Sequence, residues 1–227
     1  MRNFDYKRLA EKNWDNEILL LCSKIHEYKG RQELFIRQKP AQLGRLIKIA
    51  RIQSTEASNR IEGIVTTSTR MKQLVAEKTA PKNRDEKEIL GYRDVLNTIH
   101  ESHEYIDITP NNILQLHRDL YKFENASSNG GKFKSTDNII EEEDVKGNKF
   151  VRFKPLSAWE TPEAIIELCD AYNGAINRSE ADALLIVPMF IIDFLCIHPF
   201  NDGNGRISRL LTLLLLYQND YIVGKYI

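Results

Sequence analysis

Near the C-terminus, two segments carry apolar residues on almost every helical face. Asp182 to Ile197 includes Leu184, Ile186, Val187, Phe190, Ile191 and Phe194, and Gly205 to Gln218 is equally apolar after its first turn. A helix with so little polar surface is normally central, so the pattern predicts two buried helices enclosing a polar loop, His198 to Asn204.

Upstream the pattern is amphipathic. Helical spacing runs from about Asn16 to Ile36, with Ile18, Leu21, Cys22, Ile25, Leu34 and Phe35 as apolar candidates. It resumes from Ala41 to Glu62, with Leu43, Leu46, Ile47, Ile52 and Ile61 expected inward. Pro40 marks the break, and Gly63 stands where a helix C-cap belongs. A brief helix to about Glu77 precedes helices from about Asp85 to His103 and from Pro110 to about Phe123, the latter with Thr109 as N-cap. Thr161-Pro162 is a cap-and-proline start for a helix to about Asn177. Between Asn125 and Pro155 the helical period disappears, and Ser127, Ser128, Asn129, Gly130 and Gly131 cluster. A loop leading into a β-hairpin is expected, with strands at about Thr136 to Glu141 and Lys149 to Phe153 and Lys146-Gly147-Asn148 as turn. The chain is thus mainly α.

Composition narrows the function classes. Lys plus Arg and Asp plus Glu both number 32, so no global field favours nucleic acid or an anionic membrane, and any phosphate site must be local. Cys22, Cys169 and Cys196 are odd in number and sit in apolar helical patterns, which suits reduced core thiols. The N-terminus lacks an apolar signal core, and the longest apolar run, Leu210 to Tyr217, is too short for a bilayer. A soluble, cytoplasmic protein is expected. At 227 residues the chain can hold one continuous helical body. Ala80-Pro81 suggests a division into a regulatory part, 1–80, and a catalytic body, 81–219, while the apolar ending 220–227 reads as the start of a further segment.

The candidate chemistry lies in HPFNDGNGRISR, His198 to Arg209. A loop that opens a helix at Gly205 aims unpaired N–H groups and the positive end of the helix dipole at whatever it faces. Gly203 and Gly205 allow close backbone approach, Asn204 adds an amide donor, and Arg206 and Arg209 offer charge-assisted contacts to phosphate. Asp202 has the chemistry of a Mg²⁺ ligand beside phosphates, and His198 that of a general base near neutral pH. Taken singly, each residue also fits a capped loop with a buried histidine and surface arginines. A purely structural turn has no need of all of them together.

This stretch resembles the Fic family motif H-x-F-x-[DE]-G-N-G-R-x-x-R, matched by His198, Phe200, Asp202, Gly203, Asn204, Gly205, Arg206 and Arg209. The resemblance implies a Fic-type helical bundle with a small β-hairpin flap, and transfer of AMP from ATP to a Ser, Thr or Tyr hydroxyl of a protein target with pyrophosphate leaving. On that reading His198 is the base, Asp202 holds Mg²⁺, Gly203, Asn204 and Gly205 cradle the phosphates, and Arg206 and Arg209 hold the β- and γ-phosphates. The phosphotransferring Doc branch has Lys where Gly205 stands, so adenylylation is preferred over phosphorylation. The segment from Gly131 to Pro155 resembles the family's target-docking flap, with Lys132, Phe133, Ile139 and Ile140 as candidate contacts for an added strand. A surface hairpin packed on helices is the plain alternative.

Ser58-Asn59-Arg60-Ile61-Glu62-Gly63 is similar to the family's inhibitory pattern [ST]-x-x-x-E-[GN]. Ser58 and Glu62 share a helical face, and the resemblance implies that Glu62 pairs with Arg209 and blocks productive ATP binding. In some family members the same glutamate supports hydrolytic removal of AMP, so de-AMPylation stays open beside transfer, as does a catalytically idle nucleotide- or peptide-binding module. Expected partners are ATP and a protein target, with self-modification and a homodimer also open. Elsewhere, His100 to Glu104 reads as an exposed polar helix end, His26 and His117 as core-edge residues, and Trp14 and Trp159 as packing groups.

Overall fold

The computed structural model describes residues 4–38, 40–124, 130–144 and 147–225. Its centre is the pair predicted from the pattern, α8 (Ala183–Ile197) and α9 (Asn204–Gln218), packed on each other. Helix α7 (Thr161–Asn177) covers α8, α5 (Arg84–Ser102) packs on α9, and α6 (Pro110–Leu120) bridges α5 and α7. Phe190 and Phe194 of α8, Ile207, Leu211, Leu214 and Leu215 of α9, and Phe200 between them are all completely buried. Each such side chain contributes roughly 1.5–3 kcal/mol, so the loop joining α8 and α9 is anchored at both ends.

Before this body come the short α1 (Arg8–Glu11), then α2 (Asn16–Gln38), α3 (Pro40–Ile61) and α4 (Ser68–Val75). Helix α3 packs on α5 and touches α9, which brings its C-terminal turn to the central loop. That turn ends as a Schellman-type cap. Gly63 has φ +76°, its N–H donates to the Arg60 carbonyl, and the Ile64 N–H donates to Asn59. Elsewhere Thr109 Oγ1 caps α6 by accepting from the Asn112 N–H, and Asp182 Oδ1 caps α8 by accepting from Leu184. No described helix is long and apolar enough to cross a membrane.

Several expectations are corrected. Thr161 is the first residue of α7, not its cap, because its hydroxyl donates to the Ser157 carbonyl instead of serving the helix N–H groups. Ile61 and Leu46 are exposed, since α3 spends its inward positions on Leu43, Ala50, Thr55, Ser58 and Asn59. Leu21, Ile25 and Leu34 are exposed too. Helix α2 docks through polar groups instead: Lys29 donates to the Asn219 carbonyl, Gln32 to the Ile222 carbonyl, and His26 pairs with Asp182. His100 is buried, with Nδ1 2.9 Å from the Tyr217 hydroxyl, because the end of α5 folds against α9. Trp14 packs as expected, but Trp159 is 79% exposed at the turn before α7.

The hairpin is β1 (Ile140–Glu143) paired antiparallel with β2 (Lys149–Phe153). Its first strand starts later than expected because the residues before it make tertiary bonds: Asp137 accepts from the Ala158 N–H and Asn138 donates to the Phe200 carbonyl. Asn125 to Asn129 and the turn residue Lys146 lie outside the described residues, as does the side chain of Phe35.

Candidate active site

Helix α8 ends at His198, whose φ of 53° and ψ of 63° place a non-glycine residue in the left-handed region. Such a conformation costs roughly 1–2 kcal/mol and turns the chain sharply toward α9. Phe200, fully buried, holds the turn: its N–H donates to Asn204 Oδ1 at 2.9 Å, and Asn204 Nδ2 donates back to its carbonyl at 2.7 Å. Asn204, read from sequence as an amide aimed at an anion, therefore turns inward and braces the loop.

Phe200 also stacks face to face on His117, with ring centroids 3.7 Å apart. The Gly131 N–H donates to His117 Nδ1 at 3.0 Å, which leaves Nε2 to donate to the Asp202 carbonyl, also at 3.0 Å. Burial pushes the His117 pKa down to about 4, so the ring is neutral, as this pairing requires. His117 is thus a bridge between the base of the hairpin and the loop, a role that its place in α6 did not disclose. Lys134 makes a second bridge. Its buried ammonium donates to the carbonyls of Ile197 and Leu156 and to Asn138 Oδ1, and its N–H donates to the Pro199 carbonyl. Phe133 packs toward Phe200, so it belongs to the hairpin's foundation, while Lys132 and Ile139 are exposed and Ile140 is half-buried.

His198 is half-buried, and desolvation lowers its pKa below the ordinary imidazole value. Lys134 acts in the same direction, and the Leu195 backbone and Glu62 oppose it. A neutral imidazole at neutral pH can accept a proton.

The two arginines of α9 have opposite fates. Arg206 is 1% exposed, paired with the buried Glu88 of α5 at 2.7 Å, and donates to the Tyr121 hydroxyl at 2.7 Å. It turns inward, whereas the sequence reading placed it with Arg209 as a contact for phosphate. Arg209 reaches outward to α3: Nε donates to Ser58 Oγ at 2.8 Å, and Nη2 donates to the Ser58 carbonyl at 3.0 Å and to Glu62 Oε1 at 2.7 Å. The Glu62 carboxylate lies so close over Gly205 that a Cβ there would collide with Oε1. An acidic group thus sits at the N-terminal turn of α9, where the dipole and the unpaired N–H groups favour one.

Asp202 is 58% exposed. Its Oδ1 accepts from the Gly203 N–H, and its Oδ2 faces Arg84 at 3.7 Å and Arg206 at 3.9 Å. Among the described residues no cluster of three acidic, histidine or cysteine side chains forms a metal cage. One accessible carboxylate oxygen beside an anion cradle does fit a divalent cation that keeps waters and phosphate oxygens as its other ligands.

Residues 107–216 match the family model described as Fic/DOC family. The chain carries a Fic/DOC-family domain. Protein adenylyltransferase Fic of Nematostella vectensis is 26% identical over 214 residues, covering 90% of this chain and 45% of that protein. Fido domain-containing protein DDB_G0283145 of Dictyostelium discoideum is 31% identical over 86 residues, covering 36% of this chain and 55% of that one. The chain therefore spans about half the length of these two relatives. A Fic domain containing signaling protein from Bacteroides thetaiotaomicron shares the fold, with a TM-score of 0.74 at 24% identity over 86% of this chain and 72% of that one.

His198, Asp202, Arg206 and Arg209 all lie inside the matched Fic/DOC segment, whereas Ser58, Glu62, Arg84 and Glu88 precede it. Sequence reading found the first six of these and missed Arg84 and Glu88. A faint signal existed for Glu88: it is one residue before Ile89 and four before Tyr92, on the face of α5 that is buried.

Proposed function

We propose that the chain is the catalytic core of a protein adenylyltransferase restrained by its own Glu62. The observation that carries this reading is the placement of the Glu62 carboxylate over Gly205 and against Arg209, at the helix end whose chemistry suits a phosphate. An internal anion there is the expected competitor of a bound polyphosphate.

In the productive state Arg209 exchanges Glu62 for ATP phosphate oxygens, and the N–H groups of the first turn of α9 hold the neighbouring oxygens. Arg206, fixed by Glu88 and Tyr121, supports the cradle electrostatically from within. His198 takes the proton of the target's Ser, Thr or Tyr hydroxyl. The freed oxygen bonds to the α-phosphorus as the bond to the β-phosphate bridge breaks, so pyrophosphate departs with the bonding pair. Asp202 would hold Mg²⁺, which when bound neutralises phosphate charge. The hairpin above Gly131 presents the free edges of a two-stranded sheet, which supports docking of a target segment as an added strand through Lys132, Ile139 and Ile140.

Incubation with ATP labelled at the α-phosphate, in Mg²⁺, tests the reading. Weak self-labelling is expected, stronger labelling for Glu62→Gly, and none for His198→Ala. Absence of labelling from the Glu62→Gly form, with candidate host proteins supplied, rejects transfer. Release of AMP from a premodified target that is lost on Glu62→Gly assigns hydrolysis instead.

A further inference from the structure

Arg209 holds an internal anion, and Asp202 on the other side of the loop holds an internal cation. Arg84, the first residue of α5, points its Nη2 at Asp202 Oδ2 from 3.7 Å, while its Nε contacts Glu88 at 2.7 Å and Glu124 at 3.6 Å. A guanidinium at a helix N-terminus opposes the helix dipole, so local helix energetics do not explain it. Its surroundings do: three carboxylates converge on it, and it remains 70% exposed.

We infer that Arg84 is a placeholder for the divalent cation at Asp202 and sets how tightly that cation is held. The inference rests on Asp202 as the metal ligand. Asp202 Oδ1 is engaged by the Gly203 N–H, so Oδ2 is the oxygen open to a cation. Arg206 also faces it at 3.9 Å but is locked inside by Glu88 and Tyr121. Of the two guanidiniums, only Arg84 can withdraw, swinging on a solvent-exposed stem toward Glu124. Cation binding therefore has to break the Arg84 contact, and the two positive charges compete. The site is balanced in both signs: Glu62 stands in for phosphate and Arg84 for metal. Both Arg84 and Glu62 precede the family-matched segment.

The test compares the affinity of a nonhydrolysable ATP analogue by calorimetry in Mn²⁺ and in EDTA, all in the Glu62→Gly background so that the site is open. The ratio of the two dissociation constants measures the metal's contribution. Arg84→Gln should raise that ratio about fivefold, the size of an exposed charge contact, and Arg84→Lys should leave it near the parent value. Asp202→Asn should bring the ratio close to one. An unchanged or lowered ratio in Arg84→Gln, with Asp202→Asn still abolishing the metal effect, overturns the role of Arg84 alone. A ratio that survives Asp202→Asn overturns the metal assignment beneath it.

Discussion

Glu62 Oε1 accepts a hydrogen bond from Arg209 Nη2 at 2.7 Å while lying directly over Gly205, and the same guanidinium is held by Ser58 through its hydroxyl and its carbonyl. The last turn of α3 and the residue that follows it thus supply all three acceptors for Arg209. The two side chains are each about one-third exposed, so solvent weakens the pair.

Ser58→Ala deletes one of the three acceptors without touching Glu62. The bond from the charged Arg209 guanidinium to the Ser58 hydroxyl is partly screened by solvent; at about 1 kcal/mol it corresponds to roughly fivefold in occupancy, so the initial rate of AMP incorporation should rise about fivefold, less than in Glu62→Gly. A rate at or below the parent's would show that Ser58 does not help hold Arg209.

Gly205→Ala separates the lock from the cradle. The new methyl group would displace Glu62 and stand 3.2 Å from Arg209 Nη1, filling the space over the first turn of α9. Labelling should remain at background even in combination with Glu62→Gly. Thermal stability should be equal or higher, because alanine is favoured over glycine within a helix by about 0.5–1 kcal/mol. Retained labelling would place the phosphates elsewhere.

Glu88→Ala leaves the Arg206 guanidinium buried without its carboxylate. Breaking a buried ion pair from one side costs about 3–5 kcal/mol, and urea denaturation should show a loss of that order. Glu88→Gln keeps an oxygen acceptor and should lose clearly less. Equal losses in the two variants would mean that shape, not charge, holds Arg206.

Acid should unfold the protein through two buried histidines. Desolvation holds His100 and His117 at about 4, below the ordinary value of 6.5 that applies in the unfolded chain. The unfolded state then binds protons more readily between those limits, so stability is level above about pH 6.5 and falls as pH drops toward 4. Each histidine contributes on the order of 2–3 kcal/mol to that fall. Urea titrations at pH 7, 6, 5 and 4 should show this slope, shallower in His100→Gln.

The helical body and the polar loop between α8 and α9 were legible because their signals are local. The two all-apolar segments, the cap at Thr109 and the left-handed glycine at 63 each depend on neighbours within one or two turns. The motif residues His198 and Asp202 were legible as chemistry for the same reason. Glu62 could be named only because its short pattern was weighed together with the Fic motif.

What stayed hidden depends on contacts distant in sequence. The inward turn of Arg206 requires Glu88, 118 residues away along the chain, counted as 206 minus 88. The bridging role of His117 requires Gly131 and Asp202 to meet its two ring nitrogens, and the strand start at Ile140 is delayed by bonds that Asp137 and Asn138 make to other segments. The chain by itself determined which groups the site contains and which helices carry them, since local spacing and cap chemistry suffice for that. Only the tertiary structure decided where those groups point: Arg206 in, Arg209 out, Glu62 over Gly205 and Arg84 over Asp202. A side chain's direction is set by the partner that satisfies its charge, and here those partners come from other helices.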